Sequence, residues 1–421
     1  MPLDRITLAG DPTALAQELR GLVAAPDSVQ DEVTEIIARV RAGGDDALRY
    51  YTRTFDTGGF TPAALQVPEA ELDTAGERLD EHVRAGLQRS IANVTRVAAA
   101  ALTPDRTVSF DGHEVILREA PVGRAAVYVP GGRAPYPSTV VMGTIAARIA
   151  GVKEIAVCTP PGGDGEVNPV VLGACRLAGA SVVYRMGGAH AVAALAYGTE
   201  TVTPVDVIVG PGSLYVQEAK RQVFGQVGID GFAGPSDLLL IADGDSDADS
   251  LALDLLAQAE HGAGSLVIAI SESGELIDAL QARIAAEPDS GAVVSLVQVA
   301  ELEHALTIAQ AFAPEHLQLC GQRAQALAPR VTRAGSVLVG TDSGTAFGDY
   351  IAGSNHVLPT NGAARYASSL SPHHFRRRFT EVRIGAGAGA LARDAAPVAR
   401  AEGFELHARS MEARIRDNDP Q

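Results

Sequence analysis

The chain has 421 residues, 46% of them hydrophobic, and 34 Lys and Arg against 51 Asp and Glu give a net charge of −17. This much apolar content excludes a disordered chain, and an acidic surface repels phosphate backbones, so nucleic acid is not an expected partner. No apolar run approaches the roughly 20 residues of a membrane span, no secretory leader is expected, and the cysteines (Cys158, Cys175, Cys320) contain no Cys-x-x-Cys pair, which fits a cytoplasmic enzyme rather than a disulfide scaffold.

The first 110 residues read as helical. Asp27-Ser28 is placed to cap an apolar-periodic run through Val33, Ile36, Ile37 and Val40, which Gly43-Gly44 would end. From about Glu69 to Ala101 the apolar residues Leu72, Leu79, Val83, Leu87, Ile91, Val94 and Val97 recur at helical spacing, as one long amphipathic helix or a helix pair. From 115 the period changes. Strands are expected at Ala125–Val129, Glu154–Cys158, Ser181–Arg185, Val205–Val209, Leu238–Ile241, Leu266–Ile270 and Val337–Gly340, with helices near 138–150, 167–178, 189–197, 213–223, 247–261 and 274–285. Apolar strands alternating with helices imply buried parallel sheets covered on both faces. The alternation resumes after Gly234, so two α/β units are expected. A Gly-rich stretch from 385 precedes a tail that reads helical to Arg416, as an arm suited to packing on a partner subunit.

Open α/β sheets bind ligands beyond the carboxyl ends of their strands. Four Gly-rich turns fall near such ends: Pro130-Gly131-Gly132, Gly187-Gly188-Ala189-His190, Gly210-Pro211-Gly212-Ser213 and Gly234-Pro235-Ser236. Each is either a plain βα turn or a place where backbone N–H groups hold an anion. No G-x-G-x-x-G follows a strand; the nearest match, Gly385-x-Gly387-x-x-Ala390, lies outside the alternation. Gln258 and His261 stand at i and i+3 on one helical face. With the remote Asp349 and His407 they could form an N/O donor set suited to zinc, although a His near a helix end also serves simply to complement the dipole. Pro314-Glu315-His316 sets an acid beside a base after an apolar helix. In a turn both could reach one cleft from two directions, an arrangement that suits two separate proton transfers.

In order along the chain, these motifs resemble the histidinol dehydrogenase family. The matching stretches include Val127-Tyr128-Val129-Pro130-Gly131-Gly132-Arg133-Ala134, Gly187-Gly188-Ala189, Glu218-Ala219-Lys220-Arg221, Ala233-Gly234-Pro235-Ser236 and Gln258-Ala259-Glu260-His261. They continue through Ala313-Pro314-Glu315-His316-Leu317, Gly348-Asp349-Tyr350, Gly353-Ser354-Asn355-His356-Val357-Leu358-Pro359-Thr360 and Ala401-Glu402-Gly403.

The resemblance implies an NAD-dependent, zinc-containing enzyme that oxidises L-histidinol to L-histidine through the aldehyde. It implies one zinc ion per subunit on Gln258, His261, Asp349 and His407, and catalytic roles for Glu315 and His316. Substrate contacts would come from Ser236, Glu402, His316 and the zinc ligands, and cofactor contacts from Tyr128, His190 and Ser213. It also implies a homodimer with shared active sites, built from two Rossmann-like doubly wound units that lack the glycine fingerprint. The expected ranges are an N-terminal segment at 1–25, a first Rossmann-like domain with the helical region at 26–127 plus 236–370, a second on the NAD side at 128–235, and a dimerisation arm at 371–421. Two positions depart from the family: His190 stands where it usually carries Gln, and Ser213 where it usually carries Asn. They motivate the alternatives of a paralogous zinc-dependent dehydrogenase for another small polar alcohol, or a non-catalytic zinc-dependent binding protein.

Overall fold

The computed structural model describes residues 2–23, 28–62, 64–131, 134–232 and 234–416. Asp27 of the expected helix cap, Gly132 and Arg133 of the first Gly-rich turn, and Ala233 lie outside the described residues.

The chain opens with β1 (Leu3–Thr7), α1 (Pro12–Gly21), α2 (Gln30–Tyr51), α3 (Glu69–Arg78) and α4 (Glu81–Ala101). Next come β2 (Arg106–Phe110), β3 (His113–Pro121), β4 (Arg124–Tyr128), α5 (Pro137–Ala150), β5 (Glu154–Thr159), α6 (Pro169–Ala178), β6 (Val182–Arg185), α7 (Gly188–Tyr197), β7 (Val207–Val209), α8 (Leu214–Val223) and β8 (Gly228–Ile229). A further run holds β9 (Asp237–Ala242), α9 (Ala248–Ala259), β10 (Leu266–Ser271), α10 (Gly274–Ala285), β11 (Val293–Gln298), α11 (Leu302–Phe312) and β12 (His316–Cys320). The chain ends with α12 (Gln322–Gln325), β13 (Ser336–Val339), α13 (Thr345–Tyr350), β14 (Arg376–Ile384), α14 (Ala388–Ala401) and α15 (Glu405–Glu412).

These elements form two compact units. The first, Met1–Ala101 with Val122–Phe375, is α/β with two parallel sheets, ordered β1-β11-β10-β9-β12-β13 and β6-β5-β4-β7-β8. Strand alternation sorts its core. In the larger sheet Leu239, Ile241, Ile268 and Ile270 pack with Leu15 and Leu19 of α1 and Leu306 and Phe312 of α11. The opposite face, Leu238, Leu240 and Val267, packs with Leu251 and Leu255 of α9 and Ile277 of α10. The smaller sheet is covered likewise, with Val127 and Val157 facing Val141 and Ile145 of α5, and Ala126 and Tyr128 facing Val33 and Ile37 of α2. The second unit, Leu102–Pro121 with Arg376–Gln421, holds an antiparallel sheet ordered β14-β3-β2 and the helices α14 and α15.

All the expected strands are present, but the first 110 residues are not wholly helical: β1 edges the larger sheet and β2 belongs to the antiparallel one. Helix α2 does not end at Gly43-Gly44; it kinks there, with Gly44 at φ 50° and ψ −135°, and runs on to Tyr51. The stretch from 69 to 101 is a helix pair, restarted where Asp80 Oδ1 accepts from the amides of His82 at 2.9 Å and Val83 at 3.1 Å. The antiparallel sheet was not expected: β2 is exposed along its whole length and β14 nearly so, and neither carries a continuous apolar run to mark it.

Leu19 is fully buried and ties α1 to the larger sheet. Leu19→Ala should destabilise the protein by about 2–5 kcal/mol in urea unfolding. A loss below about 1 kcal/mol would show that α1 is peripheral to this core.

Candidate active site

The carboxyl ends of β4 and β5, the first turns of α7 and α8 and one face of α2 enclose a cleft of about 1300 Å³. Tyr128, His190 and Ser213, the three expected cofactor residues, all line it. His190 is buried, with its Nε2 at 3.1 Å from Asp56 Oδ2 and its Nδ1 buried without a hydrogen-bond partner. Tyr51 stacks on the His190 ring at 5.8 Å and on Phe55 at 5.6 Å. The amides that begin α7 are already engaged: Gly187 N donates to Asp56 Oδ2 at 2.9 Å, and Gly188 N to the Tyr128 hydroxyl at 3.1 Å. That turn is therefore held by side chains rather than left open to an anion. The turn at Gly210 is pinned from below. Buried Lys220 donates to Gly210 O at 3.0 Å and pairs with Asp230, whose other oxygen accepts from Gly210 N at 2.7 Å. Burying that charge is tolerable only because each partner has the other.

The titratable cluster lies elsewhere than the strand-end rule implied. Gly234-Pro235-Ser236 leads into a strand rather than a helix, and Ser236, Asp237, Glu315 and His316 gather at the amino ends of β9 and β12. His316 begins β12, so the Glu-His pair sits at a strand start and not in a free turn. At a strand's amino end the first amides are available to a carboxylate. Asp237 N donates to Glu315 Oε2 at 3.0 Å, and Glu315 N returns the bond to Asp237 Oδ1 at 2.7 Å. The Ser236 hydroxyl donates to the same Glu315 oxygen at 2.5 Å and accepts from Gln258 Nε2 at 2.6 Å. Burial pushes the Glu315 carboxyl up to about 7; His316, Ser236 and the Asp237 amide oppose that rise, and the Asp237 carboxylate adds to it.

His316 Nε2 donates to Asp349 Oδ1 at 3.0 Å, and its Nδ1 is buried without a partner. Burial works against the imidazolium, but the Asp349 hydrogen bond and the Glu315, Asp349 and Asp237 carboxylates raise its pKa overall. Asp349 is held below the ordinary carboxylate range: burial opposes this, and the His316 hydrogen bond with the fields of His316, His356 and His261 prevails. His261 lies two residues past the end of α9, where its Nδ1 donates to Gln258 O at 3.0 Å. That bond leaves the ring's lone pair on Nε2, the tautomer suited to binding a metal. An amide oxygen, an imidazole and a carboxylate form a donor set that zinc accepts, so Gln258, His261 and Asp349 fit the expected ion in kind. Among the described residues there is no group of three or more His, Cys, Asp or Glu placed to hold a metal by themselves. Glu402 and His407 belong to the second unit, where both are exposed.

Four neighbours went unnoticed in the sequence. His356 donates through Nδ1 to Asp349 O at 2.8 Å. Asp56 holds His190, Asp237 embraces Glu315, and Arg20 pairs with Asp237 at 2.6 Å. His356 at least fell within a quoted motif; the others had no local signal.

The histidinol dehydrogenase family profile matches residues 23–415. A histidinol dehydrogenase of Rhodospirillum rubrum is 42% identical over 420 residues, covering 96% of each chain. One from Parasynechococcus marenigrum is 41% identical over 400 residues, covering 92% of this chain and 91% of its own. The crystal structure of histidinol dehydrogenase from Elizabethkingia anophelis superposes with a TM-score of 0.91 at 29% identity and 98% coverage of both chains.

A buried acid with a raised pKa contributes stability below its unfolded pKa and loses it as pH rises through about 7. Glu315→Gln removes that loss. In chelator-treated protein, the variant should gain stability over the parent between pH 5 and pH 8, by up to roughly 3 kcal/mol. A difference in melting temperature that does not change with pH would show that Glu315 titrates normally.

Proposed function

The chain belongs to the histidinol dehydrogenase family of oxidoreductases, and from that premise we propose that it oxidises L-histidinol to L-histidine through L-histidinaldehyde at this cluster. The observation that carries the reading is one connected set: Gln258 bonds Ser236, Ser236 bonds Glu315, and the adjacent His316 bonds Asp349.

In the first step His316, oriented by Asp349, takes the alcohol proton at Nδ1 while a hydride leaves the carbinol carbon. The carboxylates that raise its pKa make it a stronger proton acceptor once neutral. In the second step Glu315 takes a proton from water, hydroxide adds to the aldehyde carbon, and a second hydride leaves to give the acid. Tyr128, His190 and Ser213 would hold NAD in the cleft they line, and the cofactor would supply the hydride acceptor for both steps. Zinc, held by Gln258, His261, Asp349 and His407, would serve mainly as a template for the substrate's imidazole and amine. Glu402 pairs with the substrate ammonium. We further propose a homodimer in which the arm's Glu402 and His407 complete the partner's site, and two Rossmann-like halves as its architecture. No helix among the described residues is long and apolar enough to cross a membrane. The buried free thiols of Cys158, Cys175 and Cys320 support a cytoplasmic setting.

His190 favours a second reading, a related dehydrogenase for another small polar alcohol, because the ring is locked to Asp56 where the family usually has Gln. A substrate panel separates the two: turnover of a non-imidazole alcohol with none of L-histidinol would favour the relative.

Zinc-loaded protein with L-histidinol and NAD should yield two NADH per substrate consumed. His316→Ala should cut this rate by at least about 100-fold, and a strong chelator should abolish it. Activity unchanged by both treatments would overturn the assignment.

A further inference from the structure

We propose that Arg20, at the end of α1, is a positioning residue for the second oxidation, acting through Asp237 to fix the segment that aims Glu315. The inference rests on the reading of Glu315 as the base that activates water.

The segment from Phe312 to His316 is short and strained. Helix α11 stops at Phe312, Ala313 takes the left-handed conformation at φ 51° and ψ 69°, and Pro314 and Glu315 lead into β12. An alanine stays there only if its surroundings hold it. Arg20 grips the segment on the near side: Nη2 donates to Phe312 O at 2.6 Å, and the guanidinium lies over the Phe312 ring at 3.5 Å. Its other arm, Nη1, reaches Asp237 Oδ2 at 2.6 Å. The second oxygen of Asp237 holds the far side of the segment by accepting Glu315 N at 2.7 Å, while Asp237 N donates to the Glu315 carboxylate at 3.0 Å. One guanidinium and one carboxylate thus staple the backbone on both sides of Ala313. Gly335 N and Ser336 N bind Pro314 O and Glu315 O, each at 2.9 Å, and close the outer side.

The staple also has an electrostatic role. Asp237 is 1% exposed and stands against a second buried carboxyl. Without a cation, two adjacent buried carboxylates cannot both stay ionised. Burial raises the Asp237 pKa and Arg20 opposes that rise, so Arg20 favours the Asp237 carboxylate that accepts the Glu315 amide when Glu315 ionises to take its proton. The first oxidation depends on it less, because His316 is oriented by Asp349, and Asp237 is the smallest of the carboxylate influences on its pKa.

The test uses zinc-loaded Arg20→Ala, Arg20→Lys and Asp237→Asn, each with L-histidinol and separately with L-histidinaldehyde, in the presence of NAD. Arg20→Ala should lower kcat for the aldehyde by about 10- to 100-fold, leave KM for the aldehyde within about two-fold, and change first-hydride release from the alcohol by less than about three-fold. Arg20→Lys, which keeps the charge but not the two-armed grip, should recover part of the loss. If Arg20→Ala does not fold, Arg20→Lys and Asp237→Asn carry the test, with a smaller loss of the same selective kind. Equal slowing of both oxidations, or an unaffected aldehyde step, would overturn the proposal. Glu315→Gln run in parallel separates the causes. If it abolishes aldehyde oxidation while the Arg20 and Asp237 variants do not slow it, this proposal alone fails; if it oxidises the aldehyde normally, the reading of Glu315 fails and this inference with it.

Discussion

Two carboxyl groups, those of Glu315 and Asp237, are buried side by side at the amino ends of adjacent parallel strands. Much of the surrounding structure makes that arrangement tolerable. Each carboxyl accepts the other's backbone amide, Ser236 adds a hydroxyl, and Arg20 neutralises Asp237. What remains is a glutamate whose pKa is pushed up to about 7, poised to change protonation where the proposed chemistry needs it. The same burial that costs stability prepares the group to take a proton.

The first unit uses its two sheets differently. The smaller one follows the general rule of open α/β sheets and opens its carboxyl ends onto the large cleft. The larger one presents titratable groups at its amino ends, where unpaired strand amides grip carboxylates. In both places buried charge holds backbone: Lys220 and Asp230 fix the Gly210 turn, Asp56 fixes Gly187 and His190, and Asp237 fixes Glu315. Rigid supports of this kind suit a proposed site that must carry out two oxidations without rearranging between them.

Most of the parallel strands were legible because burial on both faces leaves nearly continuous apolar runs, as in Leu238–Ile241 and Leu266–Ile270, but β1, β8, β11 and β12 were not expected. The residues named for the site were legible as motifs, and of the first unit's members Gln258, Ser236 and Glu315 form one hydrogen-bonded chain and His316 and Asp349 another, joined through the Glu315–His316 backbone. Their supports were not. Arg20 and Asp237 are 217 residues apart and His190 and Asp56 are 134 apart, and a lone Arg or Asp in a helix or strand reads as surface. The antiparallel sheet was hidden because β2 and β14 are largely exposed and carry no continuous apolar run to mark them. The Gly44 kink was read as an end, since a glycine pair signals both.

At the proposed site a Glu315-activated water would complete the second oxidation on an aldehyde that stays bound between the two steps. The most direct measurement is mass spectrometry of L-histidine made from L-histidinol in ¹⁸O-labelled water. An aldehyde held in place keeps the alcohol's oxygen and gains one from water, so the account predicts a single labelled oxygen in the product. Two labelled oxygens would mean that the aldehyde equilibrates with solvent, and none would mean that water does not supply the second oxygen; either result would contradict the account.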